Sequence, residues 1–239
     1  MSELLSCHGL VKTFESGGRR VEVLRGLDFS VERGEMVAII GESGVGKSTL
    51  LHLLGALDRF EAGDYSFDGA DVSRMSGRER SGFRNRRIGF IFQFHHLLPE
   101  LTVLENVSLP GMIGGLPRRE CENASLPILT SLGLSAMLRQ HPAELSGGEQ
   151  QRVAVARALV SAKDIVLADE PTGNLDPGTG DIVFDEFRRV QREKGVAAVV
   201  ATHSGKLARR CDRVLQLRDG ILTQVRVPEE ILEAARTPA

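Results

Sequence analysis

The sequence predicts an α/β fold with a mostly parallel sheet, an antiparallel β subdomain before it and an α-helical subdomain inserted into it. Three observations support this prediction. A glycine-rich motif directly follows a short apolar run at residues 35–40, the arrangement of a buried strand that leads into a helix. Further strand-like runs alternate with helical segments, which is typical of a parallel sheet. Between residues 94 and 159 the apolar residues take helical spacing instead.

The N-terminal part of the chain has the pattern of an antiparallel sheet. Strand-like segments lie at residues 4–10, 20–24 and 26–31, with a break at Ser16-Gly-Gly18. Residues 64–67 form another such run, followed by the tight-turn pair Asp-Gly. Residues 78–87 carry five arginines. There we expect a helix with a solvated face, with contact to phosphates or lipid headgroups as the alternative.

The glycine-rich motif at residues 41–49 has the form of a phosphate-binding loop. Its glycines let successive N–H groups converge on an anion, and the helix predicted at residues 48–56 adds its positive end. Lys47 supplies a full charge for the β- and γ-phosphates, and the Ser48 hydroxyl can bind Mg²⁺. The motif therefore predicts binding of a nucleoside triphosphate. Its predicted binding residues are Gly41, Glu42, Ser43, Gly44, Val45, Gly46, Lys47, Ser48 and Thr49.

The rest of the chain completes the sheet and its insertion. Strands are expected at residues 88–92, 164–168, 196–201 and 214–217, the last leading into a hairpin, and helices at 149–160 and 178–193. We therefore predict a single nucleotide-binding domain over residues 1–239. Its α/β core would consist of residues 1–93 and 160–239, and its helical subdomain of residues 94–159.

Composition excludes some partners and chemistries. The 30 basic and 32 acidic residues give a net charge of −2, so we expect no nucleic-acid partner. The three cysteines are far apart in sequence, which favours reduced thiols over a disulfide framework or a metal site. No apolar run is long enough to span a bilayer.

Two carboxylates end the apolar run at residues 165–168. Ligands of doubly wound sheets bind at the carboxyl ends of the strands, so Asp169 and Glu170 are expected at the same edge as the phosphate-binding loop. Asp169 could then hold Mg²⁺ or its waters. Glu170 could polarise a water molecule that attacks the γ-phosphate.

The segment Leu-Ser-Gly-Gly-Glu-Gln at residues 145–150 carries a second signal. Ser146 and Glu149 have the spacing of a capping box. Two glycines are unfavourable at a helix start unless something approaches the backbone closely, so we also expect a second anion site with a free serine hydroxyl. Its residues are Ser146, Gly147, Gly148, Glu149 and Gln150. Two half-sites in one chain suggest that two chains enclose the nucleotide head to tail.

Four further positions are candidates with open alternatives. Gln93 follows a strand and could contact Mg²⁺ or the attacking water. His203 also follows a strand and could contact the γ-phosphate, although a lone histidine is often structural. Phe14 could stack on a base or be a half-buried strand residue. Residues 174–176 could reach a partner subunit or form a turn.

Taken in order, these motifs resemble those of ABC-transporter ATPases over nearly the whole chain. The resemblance implies a RecA-like P-loop NTPase core that hydrolyses ATP with Mg²⁺. It also implies a head-to-tail homodimer that holds each ATP between the phosphate-binding loop of one chain and residues 146–150 of the other, with Asp176 nearby. Phe14 would then stack on adenine, Glu170 act as the general base and His203 sense the γ-phosphate.

Three segments make the resemblance more specific. Residues 89–100, 104–107 and 168–176 resemble those of the LolD family, the ATPases of Gram-negative lipoprotein-releasing systems. Residues 169–176 are shared with MacB-type exporters and the FtsE division ATPase, so these remain alternatives, as does a soluble ABC ATPase. The LolD resemblance implies two integral membrane subunits similar to LolC and LolE, contacted through Gln93 and the residues after it. It implies a peripheral location at the cytoplasmic face of the inner membrane.

Two positions depart from the pattern of this family. Phe14 stands where tyrosine is commoner, which keeps the aromatic ring. Ser204 follows His203 where aspartate is usual, so the hydrogen bonds around the histidine can differ. Neither change removes a catalytic group.

Overall fold

The computed structural model describes residues 2–16, 18–161 and 163–225, so that Gly17 of the predicted N-terminal turn lies outside it. The described residues form two units, one with the residues up to Arg80 and from Ala197 onwards, the other with Ser81–Val196. The second unit contains the helices of residues 94–159 but also two strands, a further helix and most of the helix that begins at Gly77. The division predicted at residues 94 and 159 stays a prediction.

The strands in chain order are β1 (Glu3–Ser16), β2 (Arg19–Glu32), β3 (Met36–Ile40), β4 (Ala62–Phe67), β5 (Ala70–Asp71), β6 (Ile88–Ile91), β7 (Ile165–Asp169), β8 (Ala197–Ala201), β9 (Arg213–Arg218) and β10 (Ile221–Gln224). The helices are α1 (Lys47–Leu54), α2 (Gly77–Arg87), α3 (Val103–Ile113), α4 (Arg118–Ser131), α5 (Gly147–Leu159), α6 (Pro177–Lys194) and α7 (Gly205–Ala208). Short 3₁₀ turns occupy Ser135–Met137 and Pro142–Glu144.

The antiparallel sheet of the first unit has the strand order β2-β1-β4-β5. The separate strands predicted at residues 20–24 and 26–31 are wrong, because β2 runs through this region without a break. The pairing of β1 with β2 shifts register around the pair Leu10 and Leu27. Gly9 and Gly26 have φ values of 61° and 69° there, so glycine lets the strands bend without ending.

The other sheet strands of this unit have the order β10-β9-β3-β8. Strand β3 pairs in parallel with both β8 and β9, while β9 and β10 form the expected antiparallel hairpin. Every residue of β3 and β8 is buried, as expected of strands inside a parallel sheet. These continuous apolar runs explain why the sequence alone identified both strands.

The second unit combines the parallel pair β6 and β7 with helices α3 to α6. Residues 94–159 contain helices α3, α4 and α5, in agreement with the helical spacing of the sequence. Pro110 and Pro127 lie inside α3 and α4 and do not end them. Neighbouring residues Val107, Ile128 and Leu129 are buried, and this packing offsets the hydrogen bond that each proline removes. Cys7, Cys121 and Cys211 are free thiols. Within the described ranges no helix is long and apolar enough to cross a membrane.

Candidate nucleotide-binding site

The phosphate-binding loop joins the buried strand β3 to helix α1, as predicted. At two positions of the loop the surrounding atoms leave no room for a side chain larger than that of glycine. A Cβ atom on Gly41 would lie 2.6 Å from the carbonyl oxygen of Leu217, and one on Gly46 would lie 2.6 Å from Cγ1 of Val23. Gly46 also has a φ of 112° and is the N-cap of α1, a conformation that glycine adopts without strain. Close packing of the loop against β9 and β2 therefore fixes its path.

The start of helix α1 is suited to an anion. No side chain caps it and its first turn contains no acidic residue, so its first N–H groups and the positive end of its dipole remain for a ligand. The ammonium of Lys47 lies inside the loop, donating to the carbonyl oxygens of Gly41 and Glu42 at 2.8 Å each. The Ser48 side chain at the same end of the helix is exposed.

His203 belongs to the same unit as the phosphate-binding loop and lies near β3, the strand that precedes the loop. Ala201, the last residue of β8, pairs with Ile39 of β3, and Thr202 donates a backbone hydrogen bond to Ile39. Parallel strands end at a common edge, so the structure brings His203 to the edge from which the phosphate-binding loop starts. Ser204 caps helix α7 by accepting from the N–H of Leu207, a role that aspartate also fills.

Phe14 lies near the end of β1 and is 42% exposed. It pairs with Val21 of β2, and Val23 of the same strand is the residue that comes close to Gly46. The β1–β2 hairpin therefore lies beside the phosphate-binding loop. The exposed part of the ring leaves room for a base to stack on it.

Asp169 and Glu170 lie in the second unit, where Asp169 is the last residue of β7. Both side chains are half-buried. Glu170 has a φ of 45°, in the left-handed region that disfavours residues with a Cβ atom by about 1 kcal/mol or more. A turn holds it there, because the N–H of Gly173 donates to the carbonyl oxygen of Glu170 at 3.0 Å.

Gln93 follows β6, whose end pairs with the end of β7 through Ile91 and Ala168. Two hydrogen bonds join Gln93 to Asn174. The amide nitrogen of Gln93 donates to Oδ1 of Asn174 at 3.2 Å, and Nδ2 of Asn174 donates to the carbonyl oxygen of Gln93 at 2.8 Å. The sequence does not predict this contact, because its pattern at residues 174–176 indicates only a turn or a contact with a partner subunit.

The predicted capping box at the start of α5 is confirmed, although the helix begins at Gly147 instead of residue 149. Ser146 accepts from the N–H of Glu149, whose carboxylate accepts from the N–H of Ser146 at 2.8 Å. The expectation of a free serine hydroxyl is wrong, because the Ser146 hydroxyl donates to the same carboxylate at 2.7 Å. The hydroxyl and backbone N–H of Ser146 lower the pKa of Glu149.

The two glycines after Ser146 have different surroundings. A Cβ atom on Gly148 would lie 2.5 Å from Cγ2 of Thr179 on α6, whereas one on Gly147 would be in ordinary contact with Leu175 at 3.5 Å. The close approach that the sequence predicted is therefore made to Gly148 by helix α6 of the same chain. Gln150, assigned to nucleotide binding, donates its amide to the carbonyl oxygens of Pro142 and Leu145.

Asp176 is the N-cap of α6 and accepts from the N–H of Thr179 at 3.0 Å. The hydroxyl and N–H of Thr179 lower the pKa of Asp176. Sequence reasoning missed Gln151, whose buried amide donates to the carbonyl oxygen of Pro171 at 2.6 Å. This bond fixes the residue after Glu170 to helix α5. The only signal in the sequence was a polar residue on the apolar face of a predicted helix.

The structure thus groups the predicted residues in two sets. One unit holds Phe14, the phosphate-binding loop and His203, and the other holds Gln93, residues 146–150, Asp169, Glu170 and Asp176. The predicted magnesium ligands are all oxygen donors, the type that Mg²⁺ prefers. Because the Gln93 amide nitrogen is used by Asn174, its Oε1 atom is the one that suits a metal ion.

A buried strand, a phosphate-binding loop and an uncapped helix define a nucleotide-binding protein of the P-loop class. The family model "ABC transporter" matches residues 24–173, and the chain belongs to this family. The predicted fold class and the predicted ATPase activity are thereby confirmed, because members of this family hydrolyse ATP.

Two curated relatives are similar to almost the whole chain. The lipoprotein-releasing system ATP-binding protein LolD 2 of Caulobacter vibrioides is 50% identical, covering 94% of this chain and 98% of the relative. The lipoprotein-releasing system ATP-binding protein LolD of Geobacter metallireducens is also 50% identical, covering 92% and 98%.

Solved structures agree with the fold. The ATP-binding cassette MJ0796, in a dimeric post-hydrolysis state bound to ADP and Pi, has a TM-score of 0.85 and 34% identity, covering 94% of this chain and 99% of that one. A second dimeric structure of MJ0796, described as a bacterial ABC transporter cassette, gives the same values.

Proposed function

We propose that this chain is the ATP-hydrolysing subunit of a transporter complex that releases lipoproteins from the inner membrane. The observation that carries the proposal is the 50% identity to two ATP-binding proteins of lipoprotein-releasing systems. The identity extends over more than nine-tenths of this chain and of each relative. The similarity therefore includes the segments outside the shared ATPase motifs, where a transporter's particular function is determined.

ATP binds with its phosphates at the loop between β3 and α1. The N–H groups of the first turn of α1 and the ammonium of Lys47 neutralise the β- and γ-phosphates. Lys47 is already oriented, because the carbonyl oxygens of Gly41 and Glu42 hold its ammonium within the loop. Phe14 stacks on the adenine with the exposed part of its ring.

Hydrolysis requires a water molecule aligned with the γ-phosphate. Glu170 is the general base that orients this water and accepts its proton, and the turn closed by Gly173 holds its backbone in place. His203 donates a hydrogen bond to the γ-phosphate. Ser48, Gln93 and Asp169 would hold Mg²⁺, which would supply positive charge to the phosphates.

Two copies of the chain act together, each completing the site of the other in a head-to-tail dimer. The start of helix α5, with Ser146 as its N-cap, faces the γ-phosphate bound by the second copy. In this arrangement the Ser146 hydroxyl donates its hydrogen bond to a phosphate oxygen instead of to the Glu149 carboxylate. Asp176 and the turn before α6 lie next to the second copy. The dimeric form of the MJ0796 cassette supports this proposal.

The loop after Gln93 contacts two integral membrane subunits of the LolC and LolE type, which place the dimer on the cytoplasmic face of the inner membrane. Phe94 is 67% exposed in this loop, an unusual position for a large apolar side chain unless a partner covers it. The guanidinium of Arg157 donates to the carbonyl oxygens of His95 and His96 at 2.7 Å each. These bonds fix the loop to α5 and present Phe94 outward.

The proposal is tested by identifying what binds the chain in its own cells. The tagged Glu170→Gln variant, which we expect to retain bound ATP, is purified in mild detergent with ATP, and its partners are identified by mass spectrometry. We expect two related membrane proteins with large periplasmic domains. A single self-associating membrane protein would indicate an exporter instead, and the absence of any membrane protein would refute the transporter assignment.

A matched pair of variants tests the contact surface in the same experiment. Phe94→Asp should lose the membrane proteins while ATP binding is unchanged. Ile182→Asp, which changes another exposed apolar side chain of the same unit (56% exposed), should retain them. Retention by both variants would place the contact elsewhere on the chain.

A further inference from the structure

Lys12 lies next to Phe14 at the edge of the candidate site and is unusually buried for a lysine. It precedes Phe14 by two residues on β1, so the two side chains leave the strand on the same face. The Lys12 side chain is only 9% exposed. Its ammonium lies 4.9 Å from the centroid of the Phe14 ring, within the range of a cation–π contact.

The ammonium of Lys12 is held by the segment that follows helix α1. It lies 2.9 Å from Oδ2 of Asp58 and 3.8 Å from Oε1 of Glu61, and it donates to the carbonyl oxygen of Arg59 at 2.6 Å. Two carboxylates and a carbonyl therefore surround one cation. This ligation fixes the ammonium under the ring more firmly than a solvated lysine could be fixed.

The same segment is tied to β1 by backbone bonds on both sides of Lys12. The N–H of Thr13 donates to the Glu61 carboxylate at 2.8 Å, and the N–H of Glu61 donates to the carbonyl oxygen of Val11 at 2.9 Å. Because α1 begins in the phosphate-binding loop and ends just before this segment, one rigid path connects the loop to the strand that carries Phe14.

We propose that Lys12 is a positioning residue for base recognition. This inference rests on the proposed stacking of adenine on Phe14. The cation attracts the electron-rich face of the ring and so fixes both the tilt of the ring and its distance from the phosphate-binding loop. Lys12 acts through Phe14 and does not itself contact the nucleotide.

The test compares two ligands that share the phosphates and differ in the base. Dissociation constants of ATP and of inorganic tripolyphosphate are measured by calorimetry without divalent cations, so that ATP is not hydrolysed. We expect Lys12→Met to weaken ATP binding about fivefold, equivalent to about 1 kcal/mol, and to leave tripolyphosphate binding unchanged. Lys194→Met, which removes an exposed lysine at the end of α6, should change neither constant.

Two further variants separate positioning from a structural effect. Phe14→Ala should weaken ATP binding selectively, and adding Lys12→Met to it should cause no further loss, because the lysine acts through the ring. Lys12→Arg retains the cation and should restore most of the ATP affinity. If Lys12→Met melts at a lower temperature, the double change with Asp58→Asn removes the carboxylate left without its partner and is measured instead.

The outcomes distinguish this inference from the function on which it rests. The positioning role would be overturned if Lys12→Met weakened the binding of ATP and of tripolyphosphate equally, or if it left ATP binding unchanged. It would also be overturned if the losses of ATP affinity from Lys12→Met and Phe14→Ala were additive in the double variant. If Phe14→Ala itself leaves ATP binding unchanged, then the proposed base stacking fails and the inference fails with it. A selective loss for Phe14→Ala without one for Lys12→Met overturns the inference alone.

Discussion

The contact between Gly148 and Thr179 allows a quantitative prediction. A methyl group on Gly148 would lie 2.5 Å from Cγ2 of Thr179, roughly 1 Å inside van der Waals contact. Thr179 cannot move away easily, because Asp176 accepts a hydrogen bond from its backbone N–H and β-branching restricts its rotamers. Gly148→Ala therefore forces helices α5 and α6 apart.

The magnitude follows from two opposing effects. Overpacking of a filled interior costs about 1–3 kcal/mol, while replacing a helical glycine with alanine contributes about 0.5–1 kcal/mol of stability. We expect Gly148→Ala to lower the free energy of unfolding by about 1 kcal/mol. Gly147→Ala is the matched control, because its methyl group meets Leu175 at an ordinary 3.5 Å, and it should instead raise stability by about 0.5 kcal/mol.

The assay is urea unfolding followed by circular dichroism, with the midpoints and slopes of both variants compared with the parent. A second-site change identifies the cause. Thr179→Ser removes the Cγ2 atom but leaves the backbone bond to Asp176, so it should restore most of the stability that Gly148→Ala loses. If Gly148→Ala were as stable as Gly147→Ala, or if Thr179→Ser gave no rescue, then the packing argument would be refuted.

Three further predictions concern the chemistry of the site. Glu170→Gln should bind ATP normally but hydrolyse it at least about 100-fold more slowly, because a positioned base contributes about 10²–10⁴; near-normal phosphate release would exclude this base. Ser146→Arg should abolish hydrolysis without changing the ATP affinity of the monomer, and a loss of that affinity would contradict the head-to-tail arrangement. Ser146 holds the pKa of Glu149 below its ordinary 4.5, so the carboxylate stabilises the fold above that pH and ceases to do so as pH falls through the lowered pKa. Glu149→Gln should therefore be less stable than the parent at pH 7, and the urea-unfolding midpoints of the two proteins should approach each other in acid. A difference in midpoint that did not change with pH would show that the charge of Glu149 is not its cause.

The sequence predicts those features of the structure that are determined by residues close together along the chain. The buried strands β3 and β8 are continuous apolar runs, the phosphate-binding loop has a fixed spacing of glycines and lysine, and the capping box of Ser146 and Glu149 lies within four residues. Each of these features is determined by neighbours along the chain. The fold class and the positions of most helices and strands could therefore be predicted.

The features that the sequence did not reveal depend on distant residues. Gln93 and Asn174 are 81 residues apart, and the bond from Gln151 reaches across 20 residues to Pro171. Nor does the pattern around Gly26 show that β2 continues, because the register shift depends on the pairing of Leu27 with Leu10 on β1. Such contacts are fixed only once the chain has folded, so no local pattern predicts them.

The left-handed backbone of Glu170 bears on how this ATPase can evolve. A residue with a Cβ atom is strained at a φ of 45°, whereas glycine adopts this conformation readily. The backbone at this position therefore favours glycine, whereas the proposed general base requires a carboxylate. In a mutant library screened only for abundance, glycine should therefore be enriched at position 170, and the molecules that carry it would lack the proposed general base.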